Sequence, residues 1–344
     1  GLDKLNLDGT PQLDAQGKRI PTYDQTTITN FARVFTGWRL AAPKVTVIGG
    51  VPYNVFNYQD PMIVTSENNH DTAQKVLLDG AVLPAGRNST QDLAAALDNI
   101  FNHPNVGPFI GRQLIQHLVT SNPSPAYVER VARVFNNNCA GLYPDSPCSG
   151  VRGDLKAVVT AILLDPEARG DVKTDPSYGK LREPAQFITN ILRAGSASSD
   201  GYLNPNSVTL DQDVFRPPTV FNYYPADYVI PGTTLSGPQF GILSTTTSLR
   251  RANFANTIIY NGIGVSTNAP TGTQLNLTAL QALAPDPVAL VNELDRVLMH
   301  NTLTPSVKTS IVNAVSTVTA TNTLSRARMA LYLVASSSQY QIER

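Results

Sequence analysis

Apolar residues recur at helical spacing through most of this 344-residue chain, and that periodicity restricts its fold more than any other feature. Val151, Leu155, Val158, Val159, Ile162 and Leu163 fall three and four residues apart. Val307, Ile311, Val315 and Val318 do the same behind Thr304-Pro305, a cap followed by a first-turn proline. Asp286-Pro287 opens a helix with Val291, Leu294 and Leu298 on its inner face. The first helix is predicted from Tyr23-Asp24 to Phe35, with Gly37 as its stop. Further helices are predicted over 70–79, 90–102, 105–120, 124–137, 180–194, 239–261 and 324–336. One stretch departs from this pattern. Val45, Val47, Val51, Tyr53 and Val55 flank Gly49-Gly50, which signals a β-hairpin near 44–65. The predicted fold class is therefore mainly α, a multi-helix globular protein with one small β-hairpin and long ordered loops. Residues 1–24 read as turn-rich, and 196–236 as an irregular Pro/Asn/Tyr-rich connection, long enough to be functional or packed down. The linker-like composition of 263–274 predicts a main helical domain over 1–262 and a helical subdomain over 275–344 packed on it.

Charge excludes some functions. Only 15% of residues are charged, against roughly 25% in an average soluble domain, and 26 basic residues balance 26 acidic ones. No basic stripe marks a nucleic-acid interface. Near-zero net charge also gives weak repulsion between copies, which permits self-association. No apolar run approaches the roughly 20 residues of a membrane span. The polar opening Gly1-Leu2-Asp3-Lys4 is no signal peptide, so an export address is expected upstream of Gly1.

The two cysteines, Cys139 and Cys148, share one Gly/Pro/Asn-rich loop. They read either as a disulfide or as two free thiols. The short loop favours the ring, which would stabilise the fold by roughly 2–3 kcal/mol and implies an oxidising, extracytoplasmic location, extracellular or periplasmic.

Three groups of residues invite a chemical reading. His70 and Asp71 with Lys75 combine an imidazole and a carboxylate, the usual carriers of acid/base chemistry. The plainer reading is a helix start, with His70 or Asn69 as cap and Asp71 paired to Lys75 one turn on. Arg33, Arg182, Glu183 and Arg193 could form either a buried ion network or an anion pocket. Phe221, Tyr223, Tyr224 and Tyr228 sit in a Pro-rich loop that suits a binding surface or a clamp over the core. The four histidines, at 70, 103, 117 and 300, lack metal-motif spacing, so no metal and no cofactor is expected. His103 reads as a helix cap and His117 as a packing residue.

Several segments, in order along the chain, resemble one bacterial family, the domain of unknown function 1800. They are Ala32-Arg33-Val34-Phe35-Thr36-Gly37-Trp38, His70-Asp71-Thr72-Ala73-Gln74-Lys75-Val76-Leu77-Leu78, His103-Pro104 with Phe109-Ile110-Gly111-Arg112, and Arg182-Glu183-Pro184. Phe215-Arg216-Pro217-Pro218-Thr219-Val220, Gly237-Pro238-Gln239-Phe240-Gly241 and Ala330-Leu331-Tyr332-Leu333 complete the set. Phe221-Asn222-Tyr223-Tyr224 departs from the Lys-Gly-Trp that many members carry there. The resemblance implies an exported bacterial protein, often encoded beside an exported phosphatase-like protein that would be a partner. It also implies that this chain is the C-terminal portion of a longer protein.

Three functions are consistent with these features. The first is an exported structural or interaction protein that self-assembles, contacting its own N-terminal region or other copies. The second is an exported hydrolase-like enzyme with a site around His70 and Asp71, completed by a preceding N-terminal half. The third is a binding module for an exported enzyme, acting through the Tyr/Pro-rich loop.

Overall fold

The computed structural model describes residues 2–140, 142, 147–170, 175, 177–264, 266–267 and 271–344, except for the side chain of Ile48. The fold is mainly helical, and its strands form small two-stranded sheets. It divides into two compact units, Gly1–Arg112 with Pro125–Ala161, and Gln113–Ser124 with Ile162–Arg344.

The first unit opens with three antiparallel bridges, Asp3 to Pro21, Leu5 to Pro11 and Leu13 to Arg19. Asn105 fastens this strap. Its side chain accepts from the Leu5 N–H at 2.9 Å and donates to the Asp3 carbonyl and the Thr22 hydroxyl at 2.9 and 3.0 Å. Helix α1 (Gln25–Val34) follows, capped by Asp24, whose carboxylate accepts from the Thr27 N–H. Strand β1 (Trp38–Arg39) pairs with β4 (Ile63–Val64), and between them β2 (Ala41–Ile48) and β3 (Val51–Asn57) form the predicted hairpin. Gly49 and Gly50 both have positive φ, 60° and 85°, as the tight turn between right-twisted strands requires.

No helix forms over 70–79. The segment instead runs extended from a 3-10 turn at Glu67–Asn69 into β5 (Lys75–Val76), which pairs with β6 (Val82–Leu83). Its charged side chains find their shortest ion pairs remote in sequence, Asp71 with Arg33 at 2.7 Å and Lys75 with Asp92 at 2.8 Å, while Asp71 and Lys75 stand 4.0 Å apart. Helix α2 (Ser89–Asn102) carries a capping box between Asn88 and Gln91. Val34, Leu77, Leu83 and Ala96 make a small core under α1 and α2. Helices α3 (Val106–Leu118), α4 (Pro125–Phe135) and α5 (Leu155–Leu164) come next. Gly153 allows a close approach here: a Cβ at that position would lie 2.6 Å from the Phe101 ring, and its φ is +75°.

In the second unit α6 (Pro166–Arg169) and β7 (Lys180–Leu181) precede α7 (Pro184–Ala194). Residues 196–236 are not structureless. They hold β8 (Ser198–Ser199), α8 (Asn204–Thr209) and a series of hydrogen-bonded turns. A 3-10 turn at Pro238–Ile242 leads into α9 (Thr245–Tyr260), shorter than the predicted 239–261 helix because Ser244 caps it. Strand β9 (Thr273–Gln274) pairs with β8. Then come α10 (Thr278–Leu283), α11 (Pro287–Leu294) with a π-helical turn at Asp295–Met299, α12 (Pro305–Ser316), α13 (Thr323–Ser336), α14 (Ser338–Gln341) and β10 (Ile342–Glu343), which pairs with β7.

The division differs from the boundary expected at 263–274. Helices from 275 onward share one core with α7 and α9, through Phe187, Ile191, Phe254, Ile258, Leu290, Leu298 and Leu331. Covalent closure occurs where the sequence suggested: Cys139 and Cys148 form a disulfide with their Cα atoms 6.1 Å apart. Several of the residues it encloses lie outside the described set.

Replacing Asn105 by Ala removes three hydrogen bonds that hold the opening strap. Hydrogen exchange measured by mass spectrometry is expected to rise sharply over residues 3–22 in that variant, with little change over 245–260.

Candidate functional site

The chemistry-bearing residues of the first unit converge on Asp92. This residue lies in the first turn of α2, where the helix dipole favours a carboxylate, and its side chain is buried. Its Oδ2 accepts from Lys75 Nζ at 2.8 Å and lies 3.2 Å from His70 Nε2, while Oδ1 accepts from Arg87 Nε at 2.7 Å. Lys75 is equally buried and spends its remaining donors on the Ala73 and Asp71 carbonyls. Burial pushes the Asp92 carboxyl up, but the hydrogen bonds from Lys75, Arg87 and His70 together hold it below its usual range.

A second ion pair stands beside the first. Arg33, on α1, grips Asp71 with both arms of its guanidinium, Nε to Oδ2 at 2.7 Å and Nη2 to Oδ1 at 3.0 Å. Its third nitrogen donates to Asn30, which in turn donates to the Val76 carbonyl. The Arg33 hydrogen bond, with help from the Ala73 N–H, holds the Asp71 carboxyl well below the usual carboxylate range. Thr36 joins the two pairs: its hydroxyl accepts from the Asp71 N–H at 2.8 Å, and its carbonyl lies 3.1 Å from His70 Nδ1. Glu67 completes the arrangement by accepting from the Ser89 N–H and hydroxyl at 2.9 and 2.6 Å.

The structure thus brings Arg33, His70, Asp71 and Lys75 together, but not as the start of a helix. His70 ends the 3-10 turn and Asp71 lies in extended chain. Both His70 ring nitrogens face oxygen atoms, and the side chain has no exposed surface. A substrate has no route to either nitrogen. Asp92 and Arg87 escaped the sequence reading because they lie 22 and 17 residues from His70. The available signal was the Asn88–Gln91 capping box, which sets the residue after it inside the first helical turn.

Arg182 and Glu183 belong to the second unit and have other partners. Arg182 is buried, stacked over the Tyr340 ring at 4.5 Å, and donates to the Tyr340 and Leu298 carbonyls. It therefore ties β7 to the C-terminal segment. Glu183, which caps α7, accepts from Gln212 at 2.5 Å and lies 3.5 Å from His117 Nδ1. Burial pushes its carboxyl up, yet hydrogen bonds from His117, Tyr224 and Gln212 leave it lowered. His117 is half-exposed, with Nδ1 facing the Glu183 carboxylate, and is not a core packing residue. Arg193 is exposed at the end of α7 and joins neither network.

The aromatic loop divides between a packed part and an exposed part. Tyr224 is 4% exposed and belongs to the core, where burial and the Glu183 charge keep its hydroxyl protonated to unusually high pH. Tyr223 is half-buried, with its hydroxyl donated to the Asp213 carbonyl, and Tyr228 is half-buried as well. Phe221 is exposed as expected, together with Phe215 at 96% and Val220 at 95%. Among the described residues no group of three or more His, Cys, Asp or Glu could hold a metal ion, and no helix is long and apolar enough to cross a membrane.

Asp92→Asn leaves Lys75 buried without its counter-charge, and is expected to cost about 3–5 kcal/mol in urea unfolding followed through Trp38, the chain's one tryptophan. Asp71 and Asp92 have folded-state values below the unfolded reference, so their stabilisation is present above about pH 4 and lost as pH falls further. The Trp38 transition should therefore weaken steeply below about pH 4. A stability maximum at pH 3 would contradict this network.

No curated protein and no solved structure matches the chain. One family model matches residues 13–342, that described as "Protein of unknown function (DUF1800)". It spans both units and every residue of both networks, and the chain belongs to this family.

Proposed function

We propose that this chain is an exported structural or interaction protein that self-assembles, with the β2–β3 hairpin as its contact element. One observation carries this reading: the hairpin presents apolar side chains to solvent on both of its faces. Directly paired residues share a face, so Val45 and Val47 lie opposite Asn54 and Pro52 on one side. Tyr53 and Val55 lie on the other side, opposite Thr46 and Lys44. Val45, Val47, Val51, Tyr53, Val55 and Phe56 are all exposed. Lys44 is the only charged residue between Ala41 and Asn57.

A two-stranded ribbon is at best marginally stable alone in water. Natural proteins normally guard exposed strand edges with charges or cover them. A ribbon with apolar side chains on both faces and a single charge gains stability when another surface covers it. A second copy of the same chain is the occupant favoured here, since balanced charge offers no long-range repulsion between copies. The Cys139–Cys148 disulfide supports placement outside the cytoplasm, extracellular or periplasmic. The closed state of the His70 cluster supports a non-catalytic role.

The loop carrying Phe215, Val220 and Phe221 favours a second reading, a binding module that engages an exported enzyme. Both readings are open to direct test. Sedimentation velocity of the full chain is expected to show concentration-dependent association, abolished by the double substitution Val47→Lys and Tyr53→Lys with no loss of helical circular dichroism. Association that survives those changes but disappears in Phe215→Ser with Phe221→Ser would move the contact to the aromatic loop. A wild-type chain that stays monomeric at high micromolar concentration would sink self-assembly.

A further inference from the structure

A cleft in the second unit, separate from both ion networks, has the chemistry of a ligand site. It encloses about 300 Å³ between the end of α9, strand β9, helix α10 and helix α13. That is the small end of the range for small-molecule pockets. Its wall combines an apolar floor, Ile258, Ile259, Leu275 and Leu277, with a ring of polar groups from Tyr260, Asn261, Gln274, Asn276, Gln281 and Arg328.

Among the described residues Arg328 is the one charged residue lining the cleft, and no Asp or Glu stands with it. Its guanidinium lies 5.8 Å from the centre of the Tyr260 ring, and Tyr260 is braced in turn by the edge of Tyr332 at 6.2 Å. Its Nε is buried and has no hydrogen-bond partner among the described residues. The buried Nε is closed off from the cleft, so the half-buried guanidinium offers a ligand its Nη side, and an oxyanion is the partner that suits it. The amides of Asn261, Gln274 and Gln281 likewise make no side-chain hydrogen bond to described residues, so their donors and acceptors are available to a ligand.

Backbone geometry keeps this wall in place. Gly262 follows the end of α9 with φ of +73°, and a Cβ there would lie 2.2 Å from the Gln274 amide. L residues rarely adopt that φ, so glycine suits this turn beside Gln274. Arg328 and Gln281 start from helices and Gln274 from a strand, which sets where their side chains enter the cleft.

We infer that this cleft binds a small polyhydroxylated acid, of the type of a hexuronic acid or a sugar phosphate, with its oxyanion on Arg328 and its hydroxyls on the ring of amides. Carboxylate and phosphate share the geometry Arg328 requires, and the test separates them.

The test is isothermal titration calorimetry of the full chain with glucuronate, glucose 6-phosphate and uncharged glucose. Both or one of the acids should bind saturably, and at least about tenfold more tightly than glucose, because the charge-assisted hydrogen bonds go to the oxyanion. The acid that binds better identifies the oxyanion as carboxylate or phosphate. Arg328→Gln should reduce acid binding to the level of glucose. Arg328 also packs on Tyr260, so Gln281→Leu serves as a second variant, expected to weaken acids and glucose alike while leaving the thermal midpoint unchanged. Absence of saturable heat from either acid, or acid binding unchanged in both variants, overturns the assignment.

Discussion

The buried pairing of Lys75 with Asp92 governs the first unit. Two opposite charges, each with about 1% of its side chain exposed, lie 2.8 Å apart beneath α1 and α2. Desolvating either alone would cost several kcal/mol, so the fold must deliver both together, with enough further hydrogen bonds to satisfy what remains. It does so by drawing on four separate segments: α1 and its end, the 66–76 strand region, the Arg87 turn and the start of α2. The hydrophobic core here is small, with Val34, Leu77, Leu83 and Ala96 at its centre. A polar clasp specifies how those segments meet where apolar contact alone would leave several packings open.

The second unit is organised differently. Its apolar core is large and continuous from α7 to α14, and its buried polar residues serve mainly as ties between remote backbone segments. Arg182 holds the C-terminal chain through carbonyl groups, and Arg326 does likewise for the loop ahead of α11, donating to the Ala284 and Pro285 carbonyls at 3.0 Å. An arginine that spends its donors on carbonyls has no carboxylate to signal its role in the sequence. Arg328, two residues along the same helix, has a buried Nε with no partner among the described residues.

Much of this architecture was legible in the sequence, and the limits have physical reasons. Helices α11 and α12 could be placed from Asp286-Pro287 and Thr304-Pro305, because a helix start is signalled by adjacent residues. Gly49-Gly50 located the hairpin for the same reason. The His70 segment failed because His-Asp-x-x-x-Lys satisfies a local helix rule, whereas the actual partners, Thr36, Arg33 and Asp92, come from far along the chain. The composition of 263–274 could not report that the helices after it share one core with α7 and α9, because core membership depends on residues far apart in sequence. The sequence placed Arg33 in a different group from His70 and Asp71, and Asp92, at the centre of the cluster, was not singled out.

What decides between a structural clasp and a concealed reactive centre is whether His70 can be reached from solvent. Diethyl pyrocarbonate modifies accessible imidazole nitrogens, and peptide mass spectrometry reads each of the four histidines separately. In the native chain His70 should remain unmodified while the half-exposed His117 reacts, and the two should become equivalent in urea. Native modification of His70 at a rate comparable with His117 would contradict the closed network and return that residue to the list of catalytic candidates.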